Sequence, residues 1–237
     1  MQKYVLISND IRDKIMTGVY AINEQLPSEK EMCVDYGVSK MTIKRALDIL
    51  VAEGLVIKRR GSGTFVKDLG ESQMKHIHMA NQFRGMSAMN QDKAISSNVL
   101  NFSVRTASPE IASQLNVTEG SFIYDVYRVR LVDGTPRVIE QTYMPIDVIP
   151  SLKMEHVQSS IYNYIESELK LVIQSAHRTV SVRKATDFEA EKLGLEKGDP
   201  VAVAEQVAYL NTGEAFELST SVHRYDFYAV QMIFTRN

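Results

Sequence analysis

Cysteine occurs once in this 237-residue chain, at Cys33, and tryptophan not at all. A lone cysteine closes no disulfide within the chain, which fits a reducing compartment. No apolar run approaches the roughly 18 residues that a membrane helix needs. The opening MQKYVLISNDIRDK has no signal-peptide pattern. A soluble cytoplasmic protein is expected, with no membrane partner. Neither sign of charge is in large excess: 27 Lys/Arg stand against 29 Asp/Glu, a net charge of -2. That balance excludes a chain that coats nucleic acid along its whole surface. With 44% apolar and 24% charged residues the composition is globular rather than disordered, and the length suits two domains.

The charge that is present is unevenly placed. Residues 1–70 carry 11 basic and 9 acidic side chains, and residues 71–237 carry the other 16 and 20. Within 38–67, seven basic residues face only Asp48 and Glu53. A basic patch on a mildly acidic chain suggests one local anionic partner.

Periodicity supplies the local structure around that patch. Ile7, Ile11 and Ile15 recur every four residues and predict a helix over about 3–17. In LPSEKEM, Ser28 and Glu31 have capping-box spacing and open a second helix, about 29–36, that Gly37 ends. Ser39 can cap a third helix whose apolar face is Ile43, Ala46, Leu47 and Leu50. Lys40 and Lys44 lie one turn apart on another face, and like charges at that spacing cost a few tenths of a kcal/mol unless a partner neutralises them. LVIKR and TFVK read as two short strands around an RGSG turn. Taken alone, a lysine pair is most simply a solvated helix face. Between a helix-turn-helix and a basic hairpin, it matches the way proteins dock in the major groove and grip phosphates.

LPSEKEM, YGVSKMTIKRALDILVAEGLV and RRGSGTFV, in that order, resemble the winged-helix domain of the gluconate-repressor (GntR) family of bacterial transcription factors over about residues 3–67. The resemblance implies that Lys30 contacts backbone phosphate and that Ser39, Lys40, Thr42 and Lys44 line the recognition helix. It places Arg60 and Gly61 at the wing tip. Lysine stands at 30, 40 and 44 where the family often has arginine. A point charge grips phosphate but presents no planar fork to guanine.

Residues 69–94 read as a polar, Met-rich linker between a domain at 1–68 and another at 95–237. His76 and His78 fall in it without nearby cysteine or a carboxylate cluster, so no metal and no cofactor is expected. The second domain repeats itself. Ala107, Ala112, Leu115 and Gly120 recur at one constant offset as Ala185, Ala190, Leu193 and Gly198. Each copy predicts a short helix, an alternating apolar strand, a Gly-containing turn and a return strand. The fold class expected is therefore α+β: a winged helix joined to two helix-plus-hairpin units sharing an antiparallel sheet. A helix at about 160–169 and a strand at about 172–184 lie between the copies.

Alternation puts Arg128 and Arg130 on one face of a strand, where they require an anion or carboxylates. Ser160 opens the SIYNYIE helix, and a helix N-terminus attracts anions. Glu140 and Glu217 each lie on a return strand. The simplest reading is that they pair with the arginines on a solvated sheet face. YRVRLVDGTP, EQTYMP, SSIYNYIE and GEAFELSTSVHRYDFY, joined to the winged helix, are similar to the HutC-type branch of the family over about residues 80–235. In that branch the C-terminal domain resembles chorismate lyase in fold but senses an effector. The resemblance implies that Arg128, Arg130, Ser160 and Tyr162 hold a phosphate or other acidic group and that Glu140 and Glu217 accept from hydroxyls. His223 stands where such members commonly have tyrosine, and Arg84 and Gly85 occupy a loop that often offers small hydroxyl residues. The function expected is a homodimeric repressor on a short palindromic double-stranded DNA operator, its recognition helices about 34 Å apart, released by a small anionic metabolite such as a phosphorylated sugar or another small acid. Two alternatives differ in kind. A dimeric regulator with a ligandless sensor would bind no metabolite. An enzyme would need an activated nucleophile, and the sequence shows none.

Overall fold

The computed structural model describes residues 2–68 and 93–230; Arg84, Gly85, His76 and His78 lie outside the described residues. The chain divides into two units.

The first unit contains α1 (Lys3–Met16), α2 (Glu29–Asp35), α3 (Lys40–Ala52) and a hairpin of β1 (Val56–Arg59) and β2 (Gly63–Val66). The two apolar stripes legible in the sequence meet in its core. Ile7, Ile11 and Ile15 of α1 cluster with Ile43, Ala46, Leu47 and Leu50 of α3, and Leu26, Met32 and Leu55 close the cluster. Each large aliphatic so buried contributes about 1.5–3 kcal/mol. The capping box forms as its spacing predicts: Glu31 N–H donates to Ser28 Oγ at 3.2 Å, and Ser28 N–H donates to Glu31 Oε2 at 2.7 Å. Gly37, at φ +59°, takes the left-handed conformation that turns the chain from α2 toward α3. The C-terminus of α3 is held to α1 by Arg12, whose Nε donates to Glu53 Oε2 at 2.9 Å.

The second unit is a six-stranded antiparallel sheet in the order β3-β4-β5-β8-β7-β6. Its strands are β3 (Ile95–Thr106), β4 (Phe122–Val132), β5 (Thr135–Pro145), β6 (Ile173–Lys184), β7 (Pro200–Leu210) and β8 (Ala215–Arg224). Helices α4 (Pro109–Leu115) and α7 (Asp187–Leu193) precede β4 and β7. The repeat is wider than the sequence suggests. Ile95 and Ile173, which open β3 and β6, stand at the same offset as the repeated alanines, so each copy is strand, helix and hairpin, and the two copies fill the two halves of the sheet. The recurrence slips by one position in the return strands. Arg130 pairs with Val138, whereas Ala208, the counterpart of Arg130, pairs with Glu217, one place beyond the counterpart of Val138.

One sheet face is covered by the repeat helices. Ala112 and Leu115 pack with Ile123 and Leu218, and Ala190 and Leu193 pack with Val129, Ile139, Val203 and Val222. On the other face α5 (Met154–Gln158) and α6 (Ile161–Asn163) cover Tyr124, Val126, Met144 and Ala208. The single helix expected over 160–169 is instead α6 followed by a five-residue π turn, Tyr164–Glu168. Leu169 N–H donates to the Tyr164 carbonyl five residues back, and Lys170 at φ +58° ends the segment. Tyr164 anchors the widened turn, its hydroxyl donating to the Pro150 carbonyl at 2.6 Å and its ring stacked 3.8 Å from His156.

Candidate functional site

Two polar regions stand apart from the cores. In the first unit, Ser39 caps α3: Thr42 N–H donates to Ser39 Oγ at 3.4 Å, and the two hydroxyls lie 3.0 Å apart. Lys30, Ser39, Lys40 and Lys44 are exposed and Thr42 is half-buried. Lys40 Nζ lies 3.6 Å from Glu29 across the turn, a solvent-exposed pair of the kind worth under about 1 kcal/mol and readily exchanged for phosphate. The hairpin turn places Arg60 and Gly61 at its exposed tip, with Gly61 at φ +77°. Arg59, beside them, lies with its guanidinium 4.5 Å from the Phe65 ring centre. The turn is braced from outside, since Gln25 Nε2 donates to the Ser62 carbonyl at 2.7 Å.

In the second unit, register decides which side chains share a face, because strand side chains alternate. Across the sheet Arg128 aligns with Glu140, Ser221 and Ala204. Arg130 aligns with Val138, His223 and Ala202. Thr142 aligns with Ser219, Gln206 and Arg178. Arg128, Arg130, Glu140, Glu217 and His223 therefore all lie on one face, the one that α5 and α6 partly cover. Arg128 is 6% and Arg130 2% exposed, so this face is not the solvated surface of the simplest reading. The pairing part of that reading is right for one glutamate: Arg128 Nε and Nη2 reach Glu140 Oε2 at 2.8 and 2.7 Å. Arg128 Nη1 also donates to the Val157 carbonyl of α5, which ties the sheet to the segment leading into Ser160 and Tyr162. Ser160 Oγ itself accepts from Asn163 N–H at 3.2 Å.

Glu217 is held differently. Gln206 Nε2 donates to its Oε1 at 2.6 Å and Ser219 Oγ at 2.7 Å. Gln206 in turn accepts from Arg178 Nε and Nη2 through its Oε1 and lies 3.5 Å from the Tyr162 hydroxyl. Alternation and charge in the sequence do not single out Gln206, Ser219 or Arg178. The repeat carries a signal for one of them: Gln206 is the counterpart of Arg128, at the matching place in the second copy.

The two carboxyls are driven apart. Burial raises Glu140, but the charges of Arg128 and Arg130 outweigh it and hold the group below the usual carboxylate value. Burial raises Glu217 against its hydrogen bonds from Gln206 and Ser219. Burial, reinforced by neighbouring Arg128, pulls Arg130 down to about 10. Burial also lowers His223 to about 4, so its imidazole is neutral at pH 7; its ring stacks 4.1 Å from Tyr228. Burial and Glu217 raise the Tyr162 phenol well above its ordinary value. The result is a cationic end at Arg128 and Arg130 and, beside Tyr162, a hydrogen-bonding group of Gln206, Ser219 and Glu217 on the strands of the second copy, which suits a ligand that carries an acidic group and hydrogen-bonding groups.

Comparison with known proteins finds a match for each of the two units. Residues 3–66 match the family described as bacterial regulatory proteins, gntR family, and residues 90–229 match the UTRA domain. The chain is 38% identical over 234 residues to the HTH-type transcriptional regulator GmuR of Bacillus subtilis (strain 168), covering 98% of each chain. It is 33% identical over 230 residues to the HTH-type transcriptional repressor NagR of the same organism, covering 95% of this chain and 91% of NagR. The crystal structure of the possible transcriptional regulator YydK from Bacillus subtilis superposes with a TM-score of 0.78 at 28% identity, covering 98% of this chain and 99% of that one. No described helix is long and apolar enough to cross a membrane. The chain belongs to the gntR family of bacterial regulatory proteins, a DNA-binding transcriptional regulator with a UTRA domain and not an enzyme.

Proposed function

We propose that the protein is a homodimeric repressor, released from a short palindromic operator when a phosphorylated sugar binds the C-terminal sheet. The observation that carries the effector reading is the buried arginine pair. Two guanidiniums stand side by side on one strand, 6% and 2% exposed, and the charge of one is disfavoured by burial and by the other. An anion relieves both effects. In this reading Arg128, Arg130, Ser160 and Tyr162 take the phosphate, Glu140 and Glu217 accept from sugar hydroxyls, and His223, level with Arg130 across the sheet, lines the same site. Arg84, from the segment before β3, completes the set. Lys30, Ser39, Lys40, Thr42, Lys44, Arg60 and Gly61 meet the operator. Repression is supported by NagR, which is named a repressor. The DNA-binding domain is 1–68, the linker 69–94 and the sensor 95–237. Effector binding would favour a spacing of the recognition helices that no longer fits the operator.

The test is fluorescence anisotropy on DNA from upstream of this protein's own gene, at several salt concentrations, with a panel of sugar phosphates. Tight, salt-sensitive binding released by one compound supports the reading. Tight binding that no sugar phosphate releases refutes the effector class and leaves a ligandless or differently liganded sensor.

A further inference from the structure

The proposed DNA-binding residues include lysines at 40 and 44, yet neither points straight outward from α3. At 3.6 residues per turn, the buried Ile43, Ala46, Leu47 and Leu50 define an inner line. The stripe opposite that line is Met41, Arg45 and Asp48, at i, i+4 and i+7. Lys40 and Lys44 lie roughly a quarter turn to one side, where Lys40 meets Glu29 of α2. Met41 is 60% exposed, which is unusual for a large apolar side chain on a helix whose other apolar residues are mostly buried. Arg45 is exposed, and no hydrogen bond or ion pair engages it among the described residues. Asp48, the next on the stripe, gives its carboxylate to Lys58 Nζ at 2.6 Å. That pairing leaves Arg45 unneutralised. It also marks where the outward face stops suiting a polyanion, so the N-terminal half of α3 is the half that enters a groove.

Resting on the DNA-binding reading above, we infer that Arg45 is the residue of α3 that reads base identity, by a bidentate contact with a guanine, while Met41 packs against a neighbouring thymine methyl. The flanks of a helix in the major groove meet the sugar-phosphate walls, and its central stripe meets the base edges. Lysine at 40 and 44 serves the walls as a point charge. Arg45 is the one arginine in KMTIKRALDILVA and supplies the planar fork that matches guanine O6 and N7. An apolar tip one turn before it suits the C5-methyl of thymine.

The test is in vitro selection of randomised duplex DNA by the full-length protein, run in parallel for the parent, Arg45→Lys and Lys44→Ala. Arg45→Lys keeps the charge and changes an exposed side chain, and circular dichroism verifies that it folds. The parent is expected to enrich a motif with one strongly preferred guanine per half-site. Arg45→Lys is expected to enrich the same motif with that preference reduced roughly five- to a hundred-fold, whereas Lys44→Ala binds more weakly with the motif unchanged. An unchanged guanine preference in Arg45→Lys overturns the inference and leaves the DNA-binding reading standing. Failure of the parent to enrich any motif overturns both.

Discussion

Glu140→Gln isolates the charge that holds the sensor face together. The substitution keeps the side chain's length and one carbonyl oxygen, and removes the negative charge that Arg128 meets through two nitrogens at 2.8 and 2.7 Å. The side chains of Arg128 and Glu140 are 8% and 18% exposed, respectively, so solvent screens the pair weakly. Removing one member of a buried ion pair costs about 3–5 kcal/mol. The lower end applies here, because Arg128 keeps its bond to the Val157 carbonyl. For a domain of this size, about 3 kcal/mol corresponds to a fall of about 10 °C in melting temperature, to be read by scanning calorimetry on the sensor transition. The sign with pH follows from the direction of the shift. Glu140 is depressed in the folded state, so its contribution is present above its ordinary value of 4.5 and is lost as pH falls through the lower folded value. The gap between parent and variant must therefore close in acid. Replacing both partners, Arg128→Met with Glu140→Leu, should recover much of the loss. If Glu140→Gln melts with the parent at pH 7, the carboxylate is not the counter-ion that holds this face together, and the ion-pair reasoning fails.

Three other outcomes are expected. Lys40→Ala with Lys44→Ala should flatten the dependence of operator affinity on salt by about 0.9 in log–log slope for each phosphate no longer gripped; an unchanged slope places those lysines off the DNA. His223 is depressed to about 4 from 6.5, so it stabilises the sensor above pH 6.5 and withdraws that stability as pH falls toward 4. His223→Gln should flatten the melting temperature across that window, and a parent that shows no acid sensitivity there contradicts the neutral imidazole. Gly63 sits at φ +114°, and a Cβ there would lie 2.5 Å from Gln25 Nε2. Gly63→Ala should cost the hairpin unit about 1–3 kcal/mol in chemical denaturation, and a neutral result would refute both the backbone strain and the contact with Gln25.

The elements legible in the sequence are those whose burial is one-sided. Ile7, Ile11 and Ile15, and the Ile43–Leu50 face, alternate with polar residues at the helical period because one side meets a core. β3 is not legible. It is an edge strand exposed along much of its length, so ISSNVLNFSVRT carries little apolar alternation, and only its echo in β6 betrays it. The candidate site is legible where charge is anomalous, at Arg128 and Arg130. It is invisible where an uncharged side chain such as Gln206 or Ser219 acquires its role from register across neighbouring strands. The π turn at Tyr164–Glu168 escapes because its cause is tertiary, an anchor from Tyr164 to Pro150.

The sheet also has a spine. β5 and β8 join the two copies along one short ladder, from Val138↔His223 to Tyr143↔Leu218, whereas every other neighbouring pair is joined over a longer run. Backbone ladders yield first where they are shortest, so the two halves are like covers bound along their narrowest seam. The cationic end of the site belongs to one cover and Glu217 and Gln206 to the other. A molecule that gripped both would fasten the book shut.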